Sequence, residues 1–472
     1  MSNPQFAYYP LTPFDLINDT VGHTLGWLVE GILDKEKLDS ALQRLTEKWP
    51  LLAGRLERQV GSVGRSYQIK VPLGSLEEGY PSYILTSKNS DAPISNFVKL
   101  PLPDMSDGLP ASLFKSPTAP TDPQLWAQQD IPLTHWHLTY FRQLGEEYTC
   151  ISLTFSHAIF DGMGILSVIH ALEAETQGRP WPVTPPPLIP GNNNNALQTV
   201  VDSVEEDRGA PGRLNYHHVN IVGVWYIFIT ILSWYLWEGM WHKAHSRIII
   251  LPVKACEKLV LDARQAIALD GKEDVRLSTG DVLAAWLFKT VYSTDSNPAR
   301  LVGLTNLMSL RNMFKLSNYS HNCYIPLPYP IFSVAELQDI SIHALAYRLS
   351  IARASACVEH AMIAYNRFRK AANFSDIKAK CVILPFDIRA NENLGITNMT
   401  NGRIVNIDWT GLGGGKTIVR YKSTIRSSSA PFSNWITIAG RLGDGRIMLD
   451  VVLNTSKLKA LENEVRKVCI SA

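Results

Sequence analysis

Residues 156–164 have the sequence Ser-His-Ala-Ile-Phe-Asp-Gly-Met-Gly, which places a histidine four residues before an aspartate. Residues 148–155 precede them and are rich in β-branched and aromatic types, a pattern typical of a buried strand. Residues 164–175 then repeat apolar side chains with a helical period. The motif therefore lies in a predicted strand-to-helix turn at the end of a sheet, where clefts form.

His157 is the candidate catalytic residue of this turn, because histidine is the side chain best suited to moving a proton near neutral pH. Its spacing from Asp161 arises often by chance and also fits an idle, hydrogen-bonded histidine, so the glycine context matters. We expect Gly162 to adopt a backbone conformation that other residues avoid, which makes the turn sharp. Asp161 either orients the imidazole, as in a triad, or points away and pins the loop through a buried ion pair with an arginine. The tight turn favours the second interpretation.

The composition is that of a globular chain. Its 472 residues predict two or three domains, and 46% of them are hydrophobic against 19% charged. Lysine and arginine number 45 and the acids 43, so the formal charge of +2 argues against a nucleic-acid partner. The six scattered cysteines predict free thiols in a reducing compartment and no metal site. Because the N-terminus lacks a secretory pattern, we expect a cytoplasmic protein.

A segment rich in proline and asparagine divides the chain near its middle. Residues 179–215 contain a proline cluster, four consecutive asparagines and an acidic stretch, which together predict a crossover linker without packed elements. In the first half, residues 35–49 predict an amphipathic helix. In the second half, residues 431–472 predict strand pieces followed by a charged helix.

Residues 221–237 form a run of seventeen uncharged, mostly apolar residues that includes three tryptophans, Trp225, Trp234 and Trp237. A membrane-spanning helix needs about 20 apolar residues, with roughly 17 as the lower edge. Three interpretations are open: a buried or semi-buried helix packed on the protein, an interfacial helix on a membrane surface, or a true span. The marginal length favours the buried or semi-buried helix.

Other motifs fail on spacing. Residues 411–417 look like a phosphate-binding loop, but a Walker A loop needs glycine where Thr410 stands. The sequence also lacks the G-x-S-x-G elbow of α/β-hydrolases and the H-E-x-x-H motif of zinc proteases. The histidine turn is therefore the best candidate site.

Four segments, in one order along the chain, resemble a known family. Residues 157–164 resemble the HxxxDG motif of the BAHD-type acyltransferases, in particular their fungal relatives such as the trichothecene acetyltransferases. Residues 11–15, 49–56 and 278–286 resemble the family segments LSPLD, yPLLAGRL and LSTNDVLTAWLW. The wider superfamily includes chloramphenicol acetyltransferase and the condensation domains of peptide synthetases. Ser156 stands where condensation domains carry a second histidine, which argues against that branch.

The resemblance implies an α/β fold of two chloramphenicol-acetyltransferase-like domains, with mixed sheets and flanking helices, joined by a long crossover. We expect the N-terminal domain with the HxxxDG motif at residues 1–178, the crossover at 179–215 and the C-terminal domain at 216–472. The resemblance also implies a monomer with a solvent channel between its domains and His157 at the middle as general base. Acyl-CoA, most commonly acetyl-CoA, would be the co-substrate without any bound cofactor. The acceptor would be a hydroxyl of a small hydrophobic secondary metabolite, such as a terpenoid or polyketide.

The resemblance further implies roles outside the histidine motif. In the family the motif aspartate pairs with an arginine of the second domain, and Arg311 is the matching residue. The second family signature, DFGWG, is degenerate here, with Asp408 and Gly411 in its place, and residues 319–322 match the family's YFGN only in part. The candidates for contacting the oxyanion or CoA are Ser278, Thr279, Thr397 and Asn398.

Two rival functions stay open. The degenerate second signature mildly favours a non-catalytic relative that kept the fold as a binding protein, whereas the intact His157 and Asp161 argue against it. The apolar run at 221–237 would fit a membrane-associated acyltransferase that acts on lipids or alcohols, or peripheral membrane contact of the expected enzyme. We expect an acyl-CoA-dependent O-acyltransferase.

Overall fold

The computed structural model describes residues 5–59, 66–74, 79–182, 184–185, 188, 194–208, 214–241, 243–272, 276–374, 381–426 and 433–470. The strands are β1 (Gln5–Pro10), β2 (Val21–Glu30), β3 (Arg55–Arg58), β4 (Tyr67–Leu73), β5 (Ile84–Asn89), β6 (Met105–Asp107), β7 (Thr134–Gln143), β8 (Glu146–Ser156), β9 (Asn220–Gly223), β10 (Ala244–Leu251), β11 (Leu301–Ser309), β12 (Tyr324–Pro326), β13 (Phe332–Ser333), β14 (Cys381–Leu384), β15 (Glu392–Asn398), β16 (Thr417–Arg426), β17 (Trp435–Arg441) and β18 (Ile447–Asn454). The helices are α1 (Pro13–Leu16), α2 (Lys35–Lys48), α3 (Leu125–Gln128), α4 (Gly162–Thr176), α5 (Ala196–Arg208), α6 (Val224–Trp234), α7 (Val253–Leu269), α8 (Thr279–Tyr292), α9 (Arg311–Phe314), α10 (Val334–Asp339), α11 (Ile342–Ala354), α12 (Val358–Phe374) and α13 (Thr455–Ile470).

The first large sheet has the strand order β16-β2-β8-β7-β5, with β5 parallel to β7 and the other pairs antiparallel. Residues 149–156 of β8 are all buried, as expected for a central strand. Helices α2 and α4 pack against each other, and the leucines at Leu38, Leu42 and Leu45 of α2 are buried at the helical spacing read from the sequence. Strand β8 and helix α4 therefore flank the histidine turn as predicted.

The second large sheet has the main strand order β12-β11-β15-β17-β18-β10-β6. Strands β11, β15 and β17 run parallel, and the remaining neighbours are antiparallel. Helix α8 is buried along nearly its whole length, including Trp286 and Phe288, and α11, α13 and α7 pack around it. This helix anchors the second hydrophobic core.

The two sheets exchange strands. Strand β6 comes from the N-terminal half but pairs with β10 in the second sheet. Strand β16 comes from the C-terminal half but pairs along its whole length with β2 in the first sheet. The division into 1–178, 179–215 and 216–472 stays a prediction, and sheet membership crosses its boundaries in both directions. The exchange places the boundary between the sheets next to the end of β8.

The crossover contains a packed helix, so the prediction of a linker without packed elements is wrong for residues 196–208. Leu197 and Val201 of α5 are buried in a third apolar cluster together with Phe14 and Leu310. The composition of residues 179–195 is dominated by proline and asparagine. The helix follows directly on this cluster, so the composition of the whole segment predicts a linker. Part of the predicted linker lies outside the described residues.

Most of the described side chains in the apolar run at 221–237 are exposed, so a buried helix is wrong, and the partly buried Thr230 and Trp234 correspond at most to the semi-buried alternative. The run starts as β9, continues as α6 and ends in a π-helical stretch, Tyr235–Trp241. Trp225 is 76% exposed, Phe228 58% and Ile229 65%. Among the described residues, no helix has both the length and the hydropathy needed to traverse a bilayer. The run is thus an exposed apolar helix on the protein surface.

Candidate active site

His157 is the first residue after β8, and the sheet itself positions it. Its backbone N–H donates to the carbonyl of Val21 at 2.9 Å, which extends the β2–β8 ladder by one residue. The imidazole lies against the ring of His23, with centroids 4.9 Å apart, and faces the ring of Tyr324 at 6.4 Å. Since Tyr324 belongs to the second sheet, His157 lies where the two sheets meet.

The backbone carbonyl of His157 is held from the C-terminal half. The Asn322 side-chain amide donates to it at 2.8 Å and to the Asp15 carboxylate at 3.0 Å. Asp15 also accepts from the Asn322 backbone N–H at 2.9 Å, and Thr12 donates to its second oxygen through both backbone and hydroxyl. Burial raises the pKa of Asp15 to about 7, although the hydrogen bonds from Asn322 and Thr12 oppose the rise.

Sequence reasoning assigned no role to Asp15 or Asn322. Both lie in segments that resemble the family, residues 11–15 and 319–322, so the resemblance marked these positions without giving a reason for them. Their contact spans more than three hundred residues of chain, and only the folded structure brings them together. They position the loop that carries the histidine.

The electrostatics of His157 suit a base. Burial lowers the pKa of His157 below the ordinary value, and the charge of Lys422 lowers it further. Hydrogen bonding to its own backbone and the charge of Asp161 oppose this shift. The His157 Nδ1 atom is buried and, like Nε2, has no hydrogen-bond partner in any other described residue, while Nε2 is not buried in the same way because the side chain as a whole is only half-buried. A neutral imidazole with an available Nε2 can accept a proton from a bound hydroxyl.

Asp161 points away from the imidazole and pairs with Arg311. The two guanidinium nitrogens of Arg311 donate to the two carboxylate oxygens at 2.8 and 2.7 Å, and both residues are buried. Asp161 also accepts from the Gly164 backbone N–H at 2.7 Å and so caps α4. Arg311 donates further to the backbone carbonyls of Tyr319 and His321. The geometry corresponds to the loop-pinning interpretation of Asp161.

The glycines of the motif act through close packing. Gly162 begins α4 and does not have a positive φ, so the expected unusual backbone conformation is wrong. A Cβ at Gly162 would lie 2.8 Å from the terminal methyl of Met399. A Cβ at Gly164 would lie 1.7 Å from the backbone oxygen of Ser320. Small residues are required here because α4 approaches the second half of the chain closely.

The four oxyanion or CoA candidates lie near one another, close to the N-terminus of α8. Ser278 is occupied by helix capping: its hydroxyl bonds Asp281, and it leads directly into Thr279. Thr397 and Asn398 end β15, and a Cβ at Gly280 would lie 2.6 Å from Asn398 Nδ2. Met399, the next residue, touches Gly162, so this group borders the histidine loop. Among the described residues, no group of three or more His, Cys, Asp or Glu side chains could hold a metal ion.

The degenerate second signature lies at the opposite end of α4. The Asp408 backbone N–H donates to Glu173 at 2.9 Å, and its side chain accepts from Thr410. A Cβ at Gly411 would lie 2.3 Å from the backbone oxygen of Thr176, the last residue of α4. The helix rises 1.5 Å per residue, so this loop is about 20 Å from the histidine end. Asp408 and Gly411 therefore support the helix and are not brought to His157.

No family model matches the chain. It is 28% identical over 342 residues to the O-acyltransferase pboC of Aspergillus ustus, a match that covers 68% of each protein. Its structure is similar to that of F. sporotrichioides TRI101, solved with coenzyme A and T-2, with a TM-score of 0.63 at 15% identity over 97% of this chain and 98% of that one. Vinorine synthase has a TM-score of 0.54 at 13% identity, over 98% and 93%.

The chain has the chloramphenicol-acetyltransferase-like fold of the BAHD-type acyltransferases, so the predicted α/β architecture is confirmed. Within that class it is a relative of fungal O-acyltransferases and acetyltransferases. The resemblance read from the four sequence segments is confirmed, because the sequence relatives are fungal O-acyltransferases and acetyltransferases and the structural neighbours share the fold.

Proposed function

We propose that this protein transfers an acyl group, in the first place acetyl, from acyl-CoA to a hydroxyl of a small hydrophobic secondary metabolite such as a terpenoid or polyketide. The observation that carries the proposal is His157, whose lowered pKa keeps it neutral near pH 7 and whose Nε2 lacks a hydrogen bond among the described residues. Its loop is held by Asn322 and Arg311, both of the C-terminal half. The relatives named acyltransferases and the CoA-bound neighbour support the donor.

The reaction follows from one base and two substrates. His157 Nε2 takes the proton of the acceptor hydroxyl while the oxygen bonds to the thioester carbonyl carbon. The tetrahedral oxyanion then collapses, the carbon–sulfur bond breaks, and the imidazolium returns its proton to the sulfur, which yields an ester and free CoA. Proton transfer of this kind contributes about 10²–10⁴-fold to the rate. Holding both substrates at the boundary of the two sheets removes the entropy cost of their encounter.

Asn398 is the strongest of the four oxyanion candidates. Its Oδ1 accepts from the Thr400 backbone N–H at 3.0 Å, which leaves Nδ2 as the outward-facing donor beside Gly280. Ser278, in contrast, directs its hydroxyl to Asp281. We infer that Asn398 or the adjacent backbone stabilises the developing negative charge.

A thiol-release assay tests the proposed activity. Purified protein is given acetyl-CoA, propionyl-CoA or malonyl-CoA with a panel of hydroxylated terpenoids and polyketides, T-2 and deoxynivalenol included, and products are read by mass. We expect at least one alcohol to accelerate thiol release and to gain the mass of one acyl group. Tight CoA binding without acceptor-dependent release for any alcohol would instead favour the non-catalytic binding protein.

We further propose that the protein is a cytoplasmic monomer that contacts a membrane surface through α6. Apart from Ser233, the exposed side chains that the structure describes in residues 225–237 are all aromatic or aliphatic, and none is charged. Trp and Tyr favour the boundary between lipid and water, and hydrophobic acceptors also concentrate there. Monomeric proteins rarely leave such a patch uncovered. A lipid surface fits this broad convex helix better than a narrow docking groove.

Flotation with neutral phosphatidylcholine vesicles tests the membrane contact. The triple variant Trp225→Ser, Phe228→Ser, Ile229→Ser should lose vesicle binding by about tenfold or more, because each buried apolar side chain is worth about 1.5–3 kcal/mol. The matched control Leu144→Ser with Leu269→Ser changes two residues that are 98% and 89% exposed elsewhere and should float like the parent. Equal flotation of the triple variant would refute the contact. If light scattering shows that the parent is a dimer and that the triple variant is a monomer, α6 is an interface between two copies of the chain and not a membrane contact.

A further inference from the structure

One face of the exchanged strand β16 points towards the histidine site. In the β16–β2 register Thr424 lies opposite His23, Lys422 opposite Leu25, and Arg426 opposite Val21. Alternate residues of paired strands share a face, so these side chains lie on the same face as His23 and His157. Tyr421, the residue before Lys422, stacks on Phe114 on the opposite face, with ring centroids 4.3 Å apart.

A short chain of contacts links the strand to His157. The Thr424 hydroxyl is 3.4 Å from His23 Nδ1, and the His23 ring lies 4.9 Å from the His157 ring. Burial lowers the pKa of His23 well below its usual value, with His157 and Lys422 adding to the effect, so His23 is neutral at pH 7. His23 and Thr424 are therefore neutral hydrogen-bonding groups placed between the base and Lys422.

Three cationic residues of β16, Arg420, Lys422 and Arg426, alternate along this face. Arg420 is buried and pairs with Asp450 at 2.9 Å. Lys422 is half-buried and has no hydrogen bond or ion pair among the described residues. Burial lowers the pKa of Lys422 to about 8, helped by Arg420 and Arg426 and opposed by Asp450, so it stays largely protonated at pH 7. Asp450 is already paired with Arg420, so a partly desolvated ammonium at Lys422 is stabilised further when a ligand supplies an anion in direct contact.

We propose that Lys422, with Arg426 further along the same face and Thr424 and His23 as neutral hydrogen-bonding groups, forms a subsite that binds an anionic group of a substrate near His157. This proposal rests on the proposed acyl transfer, and it restricts the expected substrates to those that carry an anionic group. The ligand of the subsite is an oxyanion, in the first place a carboxylate on the acceptor, because the pantetheine arm separates the phosphates of CoA from the thioester; a phosphate of CoA is the second source that the test distinguishes. The ion pair would orient one reactant relative to the base, and Lys422 is thus a positioning and specificity residue.

The test compares Lys422→Met with Lys416→Met. The first keeps most of the side-chain stem and removes the charge; the second removes an exposed lysine just before the far end of the same strand, about 20 Å away. Calorimetry gives the Kd of CoA and of dephospho-CoA for both variants, and thermal unfolding checks that they fold. In the thiol-release assay, each hydroxy acid of the acceptor panel is paired with its methyl ester.

If the anion belongs to CoA, Lys422→Met weakens CoA binding about tenfold or more, and dephospho-CoA shows whether the 3′-phosphate is responsible. If it belongs to the acceptor, CoA binding stays within twofold, while the preference for acid over ester falls about tenfold. The Lys416→Met variant should match the parent in both arms. Unchanged CoA affinity together with an unchanged or absent acid preference would overturn the subsite. If no alcohol is acylated, the proposed function is wrong. The subsite is then tested by CoA binding alone, and an unchanged Kd in Lys422→Met would refute it.

Discussion

The two ends of helix α4 carry the two signature loops of the chain, and they differ in what holds them. At the N-terminal end, the His157 loop is held by residues distant in sequence, Arg311 and Asn322, through charged and amide hydrogen bonds. At the C-terminal end, the Asp408 loop packs on Glu173 and Thr176 of the helix itself. The first loop is built from both halves of the chain and exposes a base. The second loop supports the helix and contributes no group to the base.

Removal of the base should give the largest effect. His157→Ala should lower kcat by about 10²–10⁴-fold, because proton transfer from the acceptor hydroxyl loses its base. The fold should persist, since the backbone carbonyl that Asn322 holds is unchanged. The thiol-release rate and the thermal midpoint measure the two properties separately. Asp408→Ala is the matched change at the other end of α4 and should leave kcat within about twofold; near-parental kcat in His157→Ala would end the assignment of the base.

Breaking the buried ion pair should come next. Asp161→Asn keeps an acceptor for the Gly164 N–H but leaves the Arg311 charge without its partner. Such a loss lowers the free energy of unfolding by about 3–5 kcal/mol, and activity should fall because the histidine loop loosens. Urea unfolding gives the free energy. Glu336→Gln removes one member of an exposed pair with Arg348 and should cost at most about 1 kcal/mol. Equal effects in both variants would contradict the pinning role.

A pair of glycine substitutions separates the two ends of α4 directly. Gly164→Ala places a methyl group against the Ser320 backbone and Gly411→Ala places one against the Thr176 backbone. Each should lower the free energy of unfolding by about 1–3 kcal/mol through overpacking. Only Gly164→Ala should also reduce kcat, because it displaces the segment that carries Asn322. Gly108→Ala meets nothing closer than 3.8 Å and serves as the control. A kcat loss in Gly411→Ala would show that the second loop also acts on the site.

The smallest expected effect is on the pH dependence. His157 must be neutral to accept a proton, so kcat/KM should fall as pH drops through its pKa, which burial holds below the ordinary value. The profile should therefore stay flat from neutral pH down to below about pH 6.5. Because the Lys422 charge also lowers this pKa, Lys422→Met should move the acid limb to higher pH. An acid limb above the free imidazole value would contradict the burial argument.

Local sequence patterns predicted the local elements well. The helix at 35–49, the strand at 148–155 and the helix after residue 164 all occur, because apolar spacing and caps act within a few residues. The Ser278–Asp281 capping box occurs for the same reason. The sequence could not reveal the strand exchange of β6 and β16, since pairing between distant strands depends on the whole fold.

The errors share one cause. An uncharged run such as 221–237 predicts low polarity but contains no information about its neighbours, so burial was inferred where exposure is found. The sequence predicts that Gly162 is needed for an unusual backbone conformation, whereas the structure requires a glycine there because a side chain would collide with Met399. The helix within 179–215 was masked by the composition of the prolines and asparagines around it.

The amino-acid sequence alone determined the class of the protein, the position of His157 in a strand-to-helix turn and the residue types that can carry acyl transfer, because these follow from short-range spacing and from four segments in a fixed order. Only the tertiary structure decided what Asp161, Asp15 and Asn322 do, which face β16 presents to the base, and that α6 stays uncovered. Those properties arise from contacts between residues hundreds of positions apart, and such contacts exist only once both sheets have packed.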